Sequence, residues 1–196
     1  GASSFDQDIG SWDVSSVTTM AWMFHEAFEF DNAGSDSINN WDVSSVISFD
    51  TTFRSTPFNR NISGWDTSSV TSLNWMFFNN NEFDQDIGGW NTSSLVQAYA
   101  TFFRARGFDQ DISGWDMSGV TNMRYMFRDA ESFNQDISNW DVSSATNMNR
   151  MFSGATSFNK NLSLWNVNSV TTCISFNQNT PQWTLPKPDL PSSCLS

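Results

Sequence analysis

The chain has 196 residues and a formal net charge of −12, from 17 Asp and 4 Glu against 7 Arg and 2 Lys. A surface this acidic repels nucleic acid and anionic membrane, and it favours cations, cationic partners and a well-solvated monomer. No apolar run approaches the roughly 20 residues of a membrane-spanning helix, no signal peptide is visible, and the 18 Phe and 10 Trp supply enough apolar bulk for a continuous core.

The chain opens inside a repeating unit, since Gly1-Ala-Ser-Ser-Phe5-Asp-Gln-Asp-Ile9 matches Gly154-Ala-Thr-Ser-Phe158-Asn-Lys-Asn-Leu162. We expect from this a mature fragment or an excised piece of a longer protein. A Trp followed by Asp or Asn then recurs at Trp12, Trp41, Trp65, Trp90, Trp115, Trp140 and Trp165, at spacings of 29, 24, 25, 25, 25 and 25. A motif Phe-[Asp/Asn]-x-[Asp/Asn]-[Ile/Leu] begins at Phe5, Phe58, Phe83, Phe108, Phe133 and Phe158, seven residues before a Trp each time. A further Phe follows Trp by twelve residues at Phe24, Phe53, Phe77, Phe102, Phe127 and Phe152. Units of this kind bury their apolar faces only by stacking on neighbours, so the period predicts one elongated repeat domain.

Within the unit Phe133–Ser157, the stretch Phe133-Asn-Gln-Asp-Ile137 reads as a short strand with Phe133 and Ile137 inward and Asn134 and Asp136 outward. Trp140-Asp141-x-Ser-Ser is a turn and helix-capping signal, because a short acidic side chain accepts hydrogen bonds from free backbone N–H groups. Met148, Met151, Phe152 and Ala155 then fall at i, i+3, i+4 and i+7, one face of a short helix. The predicted fold is therefore an α/β repeat solenoid of leucine-rich-repeat type, with a parallel sheet on one face and short helices on the other. A plain parallel β-helix is the alternative.

Two rungs depart from the pattern. The second carries an extra stretch, Asp31 to Asp36, and the fourth has Ala98 and Thr101 where others have Met. The repeat domain is placed at residues 1–175 and a C-terminal cap or tail at 176–196, in which Phe176 to Trp183 reads as one more strand motif and Pro181, Pro186, Pro188 and Pro191 stop further rungs. Cys173 and Cys194 are expected to pair and tie down that tail, which points to an oxidising compartment. Asn-x-Ser/Thr sequons stand at Asn61, Asn91 and Asn161.

The long motif F-N-Q-D-I-S-x-W-D-V-S-S-V-T-N-M-x-x-M-F, spread over residues 1 to about 172, resembles the BspA-like leucine-rich repeat of bacterial surface lipoproteins. The resemblance implies a secreted or cell-surface repeat protein of adhesion type, and it carries no catalytic residues to transfer.

Two candidate sites follow. The outward strand face forms an acidic ladder, Asp6, Asp8, Asp84, Asp86, Asp109, Asp111, Asn134 and Asp136, either a solvated structural face or a binding surface. Within it Asp84, Asp86, Asp109, Asp111 and Asp136 are a candidate Ca²⁺ site, since that ion takes six to eight oxygens. On the helical face Trp22, Trp75, Phe78, Phe103 and Tyr125 sit at offsets that face solvent, where they either stack on sugars and partner proteins or pack between rungs. The Trp12 to Trp165 series, recurring in every rung, reads as a core ladder.

One histidine, His25, and no phosphate-binding glycine loop leave little for catalysis or zinc. The reading is a non-enzymatic extracellular or cell-surface interaction module without cofactor, calcium aside. Its expected partner is a protein or glycan of a surface or matrix, with no nucleic acid and no membrane insertion. A structural spacer, stiffened by calcium, is the first alternative. A polysaccharide-degrading enzyme with its cleft at Asp31 to Asp36 is the second.

Overall fold

The fold is that of a computed structural model, which describes residues 2–194. Gly1, where the match to Gly154 begins, and the last two residues of the expected tail lie outside that range. The described residues hold three short 3₁₀ turns, Asn32–Gly34, Asp36–Asn40 and Ser192–Cys194. The rungs touch through single parallel bridges that run Thr19–Ser48–Ser72–Gln97–Asn122–Asn147–Thr172. There is no sheet and no α-helix among the described residues, so the expected α/β solenoid of leucine-rich type is overturned. The chain is a stack of rungs built almost wholly from turns.

The helix fails for a backbone reason. Each rung carries two left-handed residues. Ten positions after the Trp stand Trp22, Thr51, Trp75, Ala100, Tyr125, Arg150 and Ser175, at φ between 52 and 65°. Fourteen after it stand Glu26, Ser55, Asn79, Arg104, Asp129 and Asn179, at φ 54–60°, with Gly154 at 77°. A left-handed residue breaks the series of helical dihedrals that i→i−4 bonding needs. The Met-x-x-Met-Phe spacing is real, but it belongs to overlapping turns.

Those turns alternate two kinds of bond. In the first rung the N–H groups of Met20, Trp22, Phe24 and Glu26 donate to the carbonyls of Ser48, Asp50, Thr52 and Arg54 in the next rung, at 2.9–3.1 Å. The N–H groups between them turn back three residues, Met23 to Met20, His25 to Trp22 and Ala27 to Phe24, at 2.9–3.2 Å. Ala21 N–H donates to Thr19 Oγ1 at 3.2 Å, so every N–H of the segment is used, half along the stack and half within the rung, as buried backbone requires.

Side chains stack where the backbone does. The motif phenylalanines form one column, Phe5, Phe30, Phe58, Phe83, Phe108, Phe133 and Phe158, with ring centroids 5.7–6.5 Å apart. Phe24, Phe53, Phe77, Phe102, Phe127 and Phe152 form a second at 5.5–5.9 Å. The tryptophans are a third column: Trp41, Trp65, Trp90, Trp115, Trp140 and Trp165 are 3–4 % exposed, whereas Trp12, expected to join them, is 50 % exposed because no earlier rung covers it. The N–H groups of the buried indoles donate to the Ile carbonyl of the preceding rung, at 2.9–3.2 Å. A buried indole without that acceptor would cost about 1–3 kcal/mol.

The tail packs on the last rung. Leu162 N–H donates to the Pro186 carbonyl at 2.9 Å, and Cys173 is disulfide-bonded to Cys194 across a Cα–Cα distance of 5.0 Å. The reading of Phe176 as the start of another strand motif is corrected. Phe176 takes the place that Met151 holds one rung earlier, as the Phe127–Met151 and Phe152–Phe176 bonds show. Trp183 takes the next place in the motif-Phe column, edge-on to Phe158 at 4.7 Å.

Candidate functional site

The acidic ladder has a structural task. The first Asp or Asn of each motif accepts the backbone N–H of the equivalent residue in the next rung. Asp6 takes Asp31, Asp31 takes Asn59, Asn59 takes Asp84, Asp84 takes Asp109, Asp109 takes Asn134 and Asn134 takes Asn159, all at 2.8–3.0 Å. A side-chain oxygen thereby does what a strand carbonyl does in a sheet. This is why the predicted strand is absent, and why either Asp or Asn serves while the longer Glu never appears there.

The second acid of the motif turns inward on its own rung. Asp8, Asp86, Asp111 and Asp136 each accept the N–H two residues on, at 2.9–3.0 Å. The hydrogen bonds from Ser113 hold the Asp111 carboxyl below the usual range, and those from Ser138 do the same for Asp136. Among the described residues no three His, Cys, Asp or Glu side chains come together in a way that could hold a metal ion. The expected calcium positions Asp84, Asp86, Asp109, Asp111 and Asp136 therefore lie along a row of turns and do not converge on one point.

The insertion of the second rung is also tied down. Asp31 accepts from Arg60 Nε at 3.0 Å and Asp36 accepts from Asn61 N–H at 2.9 Å, while fully buried Asn32 accepts from Ile9 N–H at 2.9 Å. Both acids of the insertion are therefore engaged with the neighbouring rung.

The aromatic face is different in kind. Trp22 stands apart, 58 % exposed and edge-on to His25 at 5.0 Å, because the next rung has buried Thr51 at its position. Burial in a largely apolar setting lowers the His25 pKa, with Glu26 opposing and Arg54 adding to the effect. The other four expected residues do converge. Trp75 meets Phe78 at 5.0 Å and Phe103 at 6.0 Å, Phe78 meets Phe103 at 4.8 Å, and Phe103 meets Tyr125 at 5.7 Å. Phe103 is 8 % exposed, so it is the floor of this cluster and not part of its surface. Tyr99, which the sequence reading did not name, joins Trp75 at 4.8 Å and Tyr125 at 5.9 Å.

Guanidiniums cover the rings. Arg54 lies over Phe78 at 4.9 Å, Arg128 over Phe103 at 4.9 Å, Arg104 over Phe103 at 5.2 Å and Arg124 over Tyr125 at 4.4 Å. Arginine stacks in this way because its planar, weakly hydrated head tolerates an aromatic neighbour. The Nε atoms of Arg54, Arg124 and Arg128 are buried without a hydrogen-bond partner. Asp129 sits 3.5–3.6 Å from Arg104 and Arg128, but among the described residues no carboxylate pairs with Arg54, Arg124 or Arg150. With 21 acids for 9 bases, leaving three arginines uncompensated on one side concentrates the molecule's positive charge there.

The chain matches the family described as "Mycoplasma protein of unknown function, DUF285" over residues 1–37, 31–118 and 76–185. The chain belongs to this family. No curated protein and no solved structure matches it. As a DUF285 repeat, its conserved-looking rung is accounted for by stacking and turns, and the arginines are departures from that rung. Nine positions after the Trp, Asp50, Asn74 and Asn149 carry a second side-chain ladder, accepting from Asn74, Tyr99 and Ile174 N–H at 2.8–2.9 Å. Ala21, Tyr99, Arg124 and Ile174 occupy that position in the other rungs, and after Ala21, Tyr99 and Arg124 the next N–H bonds to a side chain of its own rung instead. A sequence reading by offset finds Tyr99 and Arg124 as the two large polar residues among the four rungs without Asx at that position.

Proposed function

We propose that this DUF285 chain is an interaction module of a cell surface or matrix, of BspA-like surface-repeat character, that binds an anionic glycan through its arginine–aromatic face. The observation that carries the reading is the set of arginines without carboxylate partners, stacked on rings, in a chain of net charge −12. Stacking fixes the guanidinium planes and leaves their N–H edges for carboxylate or sulfate groups, which arginine binds in bidentate fashion. The disulfide fits an oxidising compartment, in line with an extracellular site. Immobilised acidic and neutral glycans test the proposal. Binding to acidic glycans that weakens with salt, and that Arg54→Ala with Arg124→Ala reduces about tenfold or more, is the expected result. Equal binding to neutral glycans, or acidic-glycan binding untouched by the double variant, sinks it.

A spacer role has one observation in its favour, the two continuous phenylalanine columns along the stack. It predicts no saturable ligand on any face, and the same glycan experiment decides against it if binding saturates.

A further inference from the structure

Beside the ring cluster, Arg124, Tyr125, Asn149, Arg150 and Ile174 line a pocket of about 160 Å³. Its charged groups are all cationic. Arg124 and Arg150 come from successive rungs, and among the described residues neither has a carboxylate within ion-pair distance. Asn149 accepts from Ile174 N–H at 2.8 Å through Oδ1, which holds its amide in place beside the opening.

The tyrosine is oriented for the same task. Arg124 Nη2 donates to the Tyr125 hydroxyl oxygen at 2.6 Å. With that lone pair occupied, the phenol hydrogen is free to donate outward. The Arg124 Nε is buried and unpartnered, its guanidinium held against the Tyr125 ring at 4.4 Å. Two guanidiniums and a hydroxyl donor around one small pocket, with no carboxylate in its lining, form a preorganised oxyanion cradle.

The backbone accommodates the arginine. Arg124 stands where Asp50, Asn74 and Asn149 carry an Asx acceptor, and Asn149 N–H turns to Asn147 Oδ1 at 3.1 Å within its own rung. Asp50 N–H does the same to Ser48 Oγ at 3.2 Å and Arg124 N–H to Asn122 Oδ1 at 3.1 Å, so no backbone donor is left unpaired there.

We propose that the Arg124–Tyr125–Arg150 pocket is an oxyanion subsite that seats one carboxylate or sulfate substituent of an acidic glycan. This rests on the reading of the face given above and adds to it a specific cradle and ligand group. A uronic acid and a sulfated sugar offer the same chemistry, two or three oxygens sharing negative charge, and the test separates them.

Tyr125 is the reporter. The hydrogen bond from Arg124 holds its pKa below the ordinary phenol value, with the charges of Arg124 and Arg150 adding to the effect. The groups that face it are Arg124 and Arg150, Arg128 over its ring and Tyr99 beside it. A bound oxyanion offsets the positive charge and should move the phenol pKa upward. In a Tyr99→Phe background Tyr125 is the sole tyrosine, so its titration is read directly by absorbance. Glucuronate, a sulfated monosaccharide and an acidic tetrapeptide are the probes, each against chloride at equal ionic strength.

The expected result is an upward shift of the Tyr125 midpoint by glucuronate, the sulfated sugar or both, the stronger probe naming the substituent. Arg150→Ala, at a surface position, should keep the thermal midpoint and weaken that probe's binding about tenfold or more. A Tyr125 midpoint unmoved by saturating sugars in the folded protein overturns the subsite, as does unchanged sugar binding by Arg150→Ala. A response to the peptide alone overturns the glycan assignment. If polymeric acidic glycans still bind the face while the monosaccharides leave Tyr125 unmoved, the subsite fails and the face reading survives. If the monosaccharides move Tyr125 while polymers do not bind, the face reading fails and the pocket stands.

Discussion

Replacing Asp109 separates the two accounts of the acidic ladder. Its Oδ1 accepts the Asn134 N–H at 2.8 Å, 25 residues along the chain, in a partly buried setting. If the ladder is structural, only the acceptor oxygen matters. Asp109→Asn keeps that oxygen and should change stability by no more than about 0.5 kcal/mol, the scale of an ordinary surface substitution. Asp109→Ala removes it and leaves a backbone donor short of a partner, a loss of about 1 kcal/mol. For a chain of this length that loss is roughly 2–4 °C in thermal midpoint. If instead the carboxylate serves a cation, Asp109→Asn should be as damaging as Asp109→Ala, and only when calcium is present. The assay is the thermal or denaturant midpoint of the three proteins in chelator and in millimolar calcium. Equal loss in both variants refutes the acceptor argument, and so does a silent Asp109→Ala.

Further outcomes follow from the same geometry. Exchanging chelator for millimolar calcium should leave the midpoint of the parent protein unmoved, since the ladder oxygens already accept backbone N–H groups. The carboxyls of Asp13, Asp42, Asp66, Asp116 and Asp141 are held below their ordinary values by hydrogen bonds from the Ser two residues on. A depressed folded pKa gives stability that is whole above the unfolded value of 3.8 and is lost as pH falls through the folded values. Denaturant midpoints should therefore be flat down to about pH 4 and fall below it, with Asp→Asn at Asp116 and Asp141 flattening the acid limb. Reducing the Cys173–Cys194 bond, which closes a separation of 21 residues, should cost about 3 kcal/mol. The loss should appear first as a change in Trp183 fluorescence, because that ring lies in the tail the bond retains.

How far the sequence disclosed this molecule differs by feature. The period, the buried Phe and Trp columns and the disulfide were legible, because each depends on residue type recurring at a fixed interval. The secondary structure was not. Phe133-Asn-Gln-Asp-Ile137 alternates as a strand does, yet its neighbour bonds run through Asn134 and Asp109 side chains, and alternation cannot tell a backbone acceptor from a side-chain one. Met148, Met151 and Phe152 share a face at helical spacing, yet Arg150 between them is left-handed at φ 52°. Periodicity reports which side chains point together. It does not report φ, and Trp22, Tyr125 and Arg150 are not residue types that announce a left-handed backbone. Of the aromatic site, Trp75, Phe78 and Tyr125 were found by offset, Phe103 was placed outward and is the buried floor, and Tyr99 with the arginines was missed.

That last failure has a physical cause. A repeat protein imposes on every rung the same packing problem, so residues that solve it recur and residues that do not solve it stand out. The Asx at nine positions past the Trp solves it at Asp50, Asn74 and Asn149. Tyr99 and Arg124 decline it in adjacent rungs, and they are the two that meet over the same patch, Arg124 lying 5.9 Å from the Tyr99 ring. The acids that dominate the composition are spent on turns and ladders, where their number reflects the number of rungs. The arginines are few, and Arg54, Arg104, Arg124 and Arg128 stack on the one ring cluster while Arg60 and Arg106 pair with Asp31 and Glu131. On the function proposed above, the minority charge marks the binding face, whereas net charge by itself points to the acidic ladder.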